Sequence, residues 1–395
     1  MSVTSTTPPL IRNEVFLGPD RVPYFSGYDC LAALATTLLT ELANHSSILF
    51  VVDSGARAHA TELLAQLVDG PPVVVLVVET HERDKTLVAV HHLLEQAVAA
   101  RVDRASVVVA MGGGVLGNLA GMVAALLYRG LPLVHLPTTP IAAFDSVLSA
   151  KQAVNLGSGK NLCGLYLVPT VIACDLRWLR TVPREQMLTG YAEMAKNVLA
   201  VLPDDADRFI GAVGLHDTDL GAALTTMMDL GFRAKAPFLA GDAREKRHAL
   251  VFEYGHTVGH ALEFASAGAL SHGEAIAWGM LAAAEVASSM YALPVAAVEQ
   301  HHLLLSALAL DRRKLAAVDP AEVKGLLDTD NKRGYLPTTT DFVPMVLLER
   351  LGEPVIHEDR PLVGVPKELV HRSVDSLFAT RRTVGHGGAD LGGPT

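Results

Sequence analysis

Three histidines within 17 residues, His256, His260 and His272, are the side chains of this sequence best placed to do chemistry. His256 and His260 lie four apart in Phe252-Glu-Tyr-Gly-His-Thr-Val-Gly-His-Ala-Leu-Glu263, so a helix there puts both imidazoles on one face. His272 follows in Ser271-His-Gly-Glu274, at the start of another helical run. Two imidazoles and one carboxylate, with a position open to substrate oxygens, form a common catalytic zinc arrangement. Glu193, in Gly190-Tyr-Ala-Glu-Met-Ala-Lys-Asn197, is the carboxylate we select. A lone helical histidine is more often structural than a ligand. Three of them beside glycines, which permit close approach, make a metal site as good a reading as a structural one.

Gly112-Gly-Gly-Val-Leu-Gly117 directly follows the β-rich run Ser106–Met111 and opens the helical stretch Asn118–Tyr128. That is the context a dinucleotide-binding G-x-G-x-x-G requires. Its glycines let backbone amides approach a pyrophosphate at the positive end of a helix. Two features depart from the ordinary fingerprint: the turn follows the third strand candidate, and no acid lies ~20 residues onward to take a ribose hydroxyl. Lysines and amides gather elsewhere, in Lys151-Gln-Ala-Val-Asn155, Lys160-Asn161, Lys196-Asn197 and Asn331-Lys-Arg333. Any one lysine is most simply a solvated surface charge. Lys151 and Lys160, however, sit in a Gly/Ser/Asn-rich stretch between apolar runs, where a loop carries function on a rigid scaffold. Converging cations there would make a local phosphate pocket.

The elements that must position these groups change character along the chain. Ser47–Val52, Val73–Val78, Ser106–Met111 and Leu133–Leu136 are strand candidates, mostly followed by helical stretches, the signature of a parallel α/β sheet. From about Arg177 the pattern turns to long alanine- and leucine-rich helical periods with few strand signals. At 395 residues, two domains are expected. We place an α/β nucleotide-binding domain over 1–178, a mainly helical domain over 179–379, and a glycine-rich tail unable to bury a core over 380–395.

Half the residues are apolar and 19% are charged, as in helices packed around buried strands. A formal net charge of −10 argues against a nucleic-acid binder, since no basic excess exists to displace counterions. Met1–Glu14 lacks the pattern of a signal peptide, and no apolar run reaches membrane-spanning length. Cys30, Cys163 and Cys174 form no C-x-x-C pair and are odd in number, which suits a reducing cytoplasm.

Gly112-Gly-Gly-Val-Leu-Gly-Asn118, Pro137-Thr-Thr139, Asp145-Ser-Val-Leu-Ser-Ala-Lys-Gln-Ala-Val-Asn155, Gly159-Lys-Asn-Leu162, Glu253-Tyr-Gly-His-Thr-Val-Gly-His260 and His272-Gly-Glu274 together resemble the dehydroquinate synthase superfamily of sugar phosphate cyclases. The resemblance spans about Asp53 to Tyr335. Within it, Lys151-Gln-Ala-Val-Asn155, Phe252-Glu-Tyr-Gly-His-Thr257 and Asp330-Asn-Lys-Arg-Gly-Tyr335 are similar to the 2-deoxy-scyllo-inosose synthases of aminoglycoside (2-deoxystreptamine) pathways.

The resemblance implies a dehydroquinate synthase-like fold: a Rossmann-like NAD domain followed by a helical metal and substrate domain. It implies metal ligands at Glu193, His256 and His272, with zinc or cobalt. NAD contacts are implied at Asp53, Glu82, Lys85, Gly112, Gly113, Gly114, Asn118, Thr138, Thr139 and Thr181; Asp53 then supplies the missing ribose acid. Substrate-pocket positions are Asp145, Lys151, Lys160, Asn161, Lys196, Asn197, Lys235, Glu253, His260 and Lys332. Lys151, Glu253 and His260 are our candidates for proton handling. Glu253 and Ala249 stand where dehydroquinate synthase has Asn and Arg, a change that suits a polyol lacking a carboxylate. His81 replaces a usual Gly before Glu82. The expected activity is cyclisation of D-glucose 6-phosphate to 2-deoxy-scyllo-inosose by a homodimer. The alternatives are a dehydroquinate or valiolone synthase, a metal-dependent NAD alcohol dehydrogenase, or a non-catalytic binding protein.

Overall fold

Val-, Ile- and Leu-rich runs that are buried on both faces become the centre of a sheet, because only strands covered by helices on each side can be apolar throughout. In the computed structural model, which describes residues 10–157, 159–327, 332, 334–336 and 340–379, these runs form one seven-stranded sheet. Met1–Pro9, Asn331, Arg333 and the tail 380–395 lie outside the described residues. The strands are β1 (Ile11–Leu17), β2 (Asp20–Gly27), β3 (Ile48–Asp53), β4 (Val73–Val78), β5 (Val107–Gly112), β6 (Leu133–Pro137) and, after a separate hairpin of β7 (Lys151–Leu156) and β8 (Gly159–Tyr166), β9 (Val171–Asp175). Their order is β1-β2-β9-β6-β5-β3-β4. All neighbours run parallel except the β1–β2 hairpin.

Four helices alternate with the strands: α1 (Leu31–Leu42), α2 (Arg57–Leu64), α3 (Leu87–Ala99) and α4 (Gly114–Leu126). After β3 the chain moves outward to β4, then returns across β3 to β5 and proceeds the other way to β6. The connections therefore diverge between β3 and β5, and a crevice opens at their carboxyl ends, the usual ligand position in such sheets. The glycine turn follows β5 and Asp53 ends β3, so both lie at this crevice.

Beyond residue 180 come α5 (Arg184–Ala200), α6 (Ala206–Gly214), α7 (Leu220–Leu239), α8 (His256–Ala265) and α9 (His272–Tyr291). Side chains mark where they begin: Asp219 accepts the Ala222 amide at α7, and Ser271 with Glu274 forms a reciprocal capping box at α9. Two short antiparallel pairs, Phe342–Met345 with Val363–Pro366 and Leu348–Arg350 with Glu353–Pro354, add strands to a region whose periodicity reads as helical. They are too short to carry a period-2 signal. The apolar core runs without a break from Phe50 and Met111 of the sheet, past the fully buried Trp178, into α5, α8 and α9. No helix among the described residues is long and apolar enough to cross a membrane.

Candidate active site

The metal candidates sit on three helices that small residues bring together. Gly273, at the start of α9, lies so close to α5 that a Cβ there would meet the Thr189 Cα at 2.4 Å; Gly259 and Gly279 play the same part between α8 and α9. Glu193 of α5, His256 of α8 and His272 of α9 consequently converge, each offering one atom within 4.8 Å of the others. The Glu193 Oε1 lies 3.3 Å from the His272 Nε2 and 3.6 Å from the His256 Nε2. The remaining ring nitrogens are already engaged: the His256 Nδ1–H donates to the Tyr254 carbonyl at 3.1 Å, and the His272 Nδ1–H to the Glu263 carboxylate at 3.0 Å. Those bonds occupy Nδ1 in both rings and leave both Nε2 atoms facing the shared point.

This donor set fits a divalent cation. The Glu193 Oε1 is buried and has no hydrogen-bond partner, an expense for an isolated carboxylate that a cation would remove. Burial works against charging His272, but Glu193 and Glu263 outweigh it and hold its pKa up to about 10. His256, with burial dominant, falls to about 4. Burial opposes the charge of Glu193 too, yet Lys196, His256 and His272 pull its pKa well below the usual carboxylate range. The pocket thus already favours positive charge beside Glu193. His260 lies next to these rings, 5.1 Å from His256 and 6.0 Å from His272 between centroids, but outside the converging set. Burial, then the neighbouring charges of His256 and Lys332, keep it neutral.

Cations surround the metal candidates. Lys196, one turn along α5, is 2% exposed and bonded to the other oxygen of Glu193. Lys235 of α7 is 4% exposed and reaches Asp145 at 2.8 Å. Asp145 rides on a π-helical turn, Ala142–Ser146; Gly231 of α7 packs against its Phe144, and Gly190 of α5 against Pro140 just before it, closely enough to exclude a side chain. Both lysines overlie the Phe252 ring, at 5.8 and 5.3 Å. Lys332, fully buried, lies 3.4 Å from Glu253. Burial resists ionisation of Glu253, but Lys332, His256 and Lys151 outweigh it and keep the carboxyl ionised. Asn197 is fully buried, and its Oδ1 has no hydrogen-bond partner.

Lys151 and Lys160 stand on the β7–β8 hairpin rather than in a loop, because Gln152 and Val154 bury one face of the strand against α4. Gly121 of α4 makes room, since a Cβ there would overlap the Gln152 side chain. Lys151 donates to Glu245 at 2.8 Å. Desolvation lowers its pKa less than Glu245 and Glu253 raise it, so it is held as an ammonium. Lys160 donates to Glu263 at 2.6 Å, and Asn161 accepts from Lys85 at 2.6 Å.

The cofactor candidates follow the carboxyl ends of successive strands. Asp53 accepts from the Gly55 amide at 2.8 Å and from the Thr80 hydroxyl. A Cβ on Gly112 would lie 2.6 Å from the Leu116 Cδ2 and 3.0 Å from the Asp53 Cβ, so this turn admits only glycine. Gly113 caps α4, which begins at Gly114 rather than Asn118. Asn118 spans Gly114 and Ala153, tying the helix to the hairpin at 2.8 and 2.7 Å. The Thr138 amide donates to Gly112, and Thr139 lies against Gly113. Glu82 holds Asn155 at 2.9 Å, while the Lys85 carbonyl accepts the Asn155 amide. Thr181 bonds to His59 of α2 and to the Trp178 carbonyl of its own turn. A cavity lined by Gly112, Gly113, Gly114, Asn118 and Lys151 joins the turn to the hairpin lysine.

Two adjacent family models, 3-dehydroquinate synthase N-terminal and C-terminal, match residues 75–189 and 190–333. A 2-deoxy-scyllo-inosose synthase from Streptomyces lividus is 42% identical over 91% of this chain and 94% of its own. The chain belongs to the 2-deoxy-scyllo-inosose synthases of the dehydroquinate synthase family. A crystal structure of a 2-deoxy-scyllo-inosose synthase complexed with carbaglucose-6-phosphate, NAD+ and Co2+ superimposes with a TM-score of 0.84 at 33% identity, covering 93% of this chain and 99% of that one. A 2-epi-5-epi-valiolone synthase from Streptomyces hygroscopicus, with NAD+ and Zn2+ bound, gives 0.77 at 25% identity over 91% and 98%.

Two carboxylates of this 2-deoxy-scyllo-inosose synthase family member escape a reading of its sequence. Glu263 bridges His272 and Lys160; it lies seven residues after His256, hence on the same face of α8, and that spacing is a signal that could have found it. Glu245 accepts from Ser149 at 2.6 Å and from Lys151. It stands in the charged run Asp242-Ala-Arg-Glu-Lys-Arg247, where nothing distinguishes it from solvated charge. Ala249, where dehydroquinate synthase carries Arg, is 1% exposed.

Proposed function

We propose that this chain converts D-glucose 6-phosphate into 2-deoxy-scyllo-inosose and inorganic phosphate, with NAD and one zinc or cobalt ion, in aminoglycoside antibiotic biosynthesis. The observation that carries the reading is the convergence of Glu193, His256 and His272 beside a buried, ionised Glu253. A relative of the same fold complexed with carbaglucose-6-phosphate, NAD+ and Co2+ supports the substrate and cofactors. Free Cys30, Cys163 and Cys174 support a cytoplasmic setting. We expect a homodimer from the family alone.

The residues in named roles are these. Glu193, His256 and His272 would hold the cation, and the crevice between β3 and β5 would hold the dinucleotide, through Gly112, Gly113, Gly114, Asn118, Thr138 and Thr139, with Asp53 for a ribose and Glu82, Lys85 and Thr181 at its edges. When bound, NAD would supply a transient hydride acceptor for sugar C4, and the cation would supply Lewis-acid polarisation of the sugar oxygens. A ketone at C4 acidifies the C5 proton, and phosphate then leaves C6 by β-elimination. Ring opening exposes the C1 aldehyde, which C6 attacks in an intramolecular aldol step favoured by enforced proximity. The product and phosphate account for every atom of the substrate, and no net oxidation occurs.

Lys196, Lys235 and Lys332 supply buried positive charge for the phosphate, with Asp145 and Asn197 fixing their surroundings. Lys160 and Asn161 close the pocket from the hairpin. Lys151, held as an ammonium by Glu245, donates protons or hydrogen bonds at the reacting carbons' oxygens. Glu253 and neutral His260 are the acceptors. Purified protein given glucose 6-phosphate, NAD and Co2+ should release one phosphate per cyclic ketone without accumulating NADH. Accumulation of NADH on a polyol would identify a dehydrogenase instead, and turnover confined to a seven-carbon sugar phosphate a valiolone synthase.

A further inference from the structure

Glu263 stands outside the metal-ligand set, yet its two oxygens serve different parts of the protein. One accepts the His272 Nδ1–H at 3.0 Å; the other accepts from the Lys160 Nζ at 2.6 Å. The carboxylate is 18% exposed, and its backbone is fixed where α8 ends: the Glu263 carbonyl accepts the Ser266 hydroxyl at 2.8 Å, and Ser266 in turn accepts the Leu270 amide at 3.2 Å. Lys160 rides on the hairpin, whose tip is tied through Asn155 to Glu82 at 2.9 Å and through Asn161 to Lys85 at 2.6 Å.

An exposed lysine–carboxylate pair is worth under about 1 kcal/mol by itself. A carboxylate behind a metal-binding imidazole has more leverage, because it fixes tautomer and ring orientation and raises ligand basicity. We propose that Glu263 is the positioning residue of the metal centre: it holds His272 with Nε2 directed at Glu193 and, through Lys160, joins the β7–β8 hairpin to that histidine. The proposal rests on the metal assignment given above, and its test separates the two.

The test is competition of Co2+ against a chelator for metal-free wild type, E263L, E263Q, K160M and H256A, without substrate, together with the visible ligand-field spectrum of each Co2+ form. E263L should raise the Co2+ Kd about 10–100-fold and shift the spectrum. E263Q keeps an acceptor for Nδ1–H and should fall between E263L and wild type. K160M should stay within about fivefold of wild type, the limit for an exposed pair. NAD affinity and circular dichroism check the fold, and should E263L not fold, E263Q carries the test. Wild-type affinity and spectrum in E263L, or in E263Q where only that variant folds, overturn the proposal while leaving the metal assignment standing. Unaltered Co2+ binding in H256A overturns both.

Discussion

Replacing Glu193 by Gln should destabilise the metal-free protein through Lys196. Both side chains of this pair are 2% exposed, so the ammonium has no water to turn to once the carboxylate is gone. Breaking such a pair by removing one partner costs about 3–5 kcal/mol, because an uncompensated charge stays buried. Unfolding entropy of about 2.1 cal/mol/K per residue becomes about 0.8 kcal/mol/K for 395 residues, so E193Q should lower Tm by about 4–6 °C. The Phe252 face, 5.8 Å from the Lys196 Nζ, offsets only part of this. The double variant E193Q/K196M removes the stranded charge at similar volume and should recover most of the loss. Calorimetry in excess chelator keeps metal binding out of the comparison. A Tm for E193Q within about 1 °C of wild type, or a double variant no more stable than the single one, would refute the electrostatic account of this pocket.

Gly112→Ala should weaken NAD binding at least about tenfold, roughly 1.4 kcal/mol, because its Cβ meets Leu116 and Asp53 at the crevice; titration of cofactor fluorescence reads this directly. Glu253→Gln should cut kcat by about 10²–10⁴ while NAD and Co2+ affinities hold, and a fall confined to affinity would place Glu253 outside the proton-transfer steps. His135, 4% exposed in β6, has its pKa lowered by burial from 6.5 to about 4, so the unfolded chain binds its proton first. Its contribution is intact above pH 6.5 and is lost as pH falls toward 4, about 3 kcal/mol in all, and denaturant midpoints across that window should be flatter in His135→Gln.

Much of the site is legible in residue order because the chemistry is local. A four-residue spacing puts His256 and His260 on one helix face, and G-x-G-x-x-G after a β-rich run marks a tight turn, which packs against Leu116, Asp53 and Thr139. The four strand candidates all appear within one or two residues of their read positions. Strands with weaker patterns are missed: β1 and β2 mix charged and apolar residues, and β7 and β8 carry the Gly and Asn that suggest a loop. The glycine turn's late place in the chain also resolves in three dimensions. The β1–β2 hairpin occupies the far edge of the sheet, so β3 and β5 form the divergence point despite being third and fifth in order.

Residue types and spacing suffice to name the donors: an imidazole or carboxylate has its chemistry wherever it stands, and helical or strand periodicity is written in nearest neighbours. Which donors share a point is another matter. Glu193 and His272 are 79 residues apart, and Lys160 and Glu263 are 103 apart, so their meeting depends on helices held close by Gly259, Gly273 and Gly279 and on a hairpin seated over Gly121. The same folding buries both imidazoles, which lowers both pKa values, but it sets Glu193 and Glu263 against His272, and those carboxylates separate its pKa, near 10, from that of His256, near 4, although both are the same residue type. Short-range pattern thus names the candidate reactive groups, while long-range packing sets their geometry and charge.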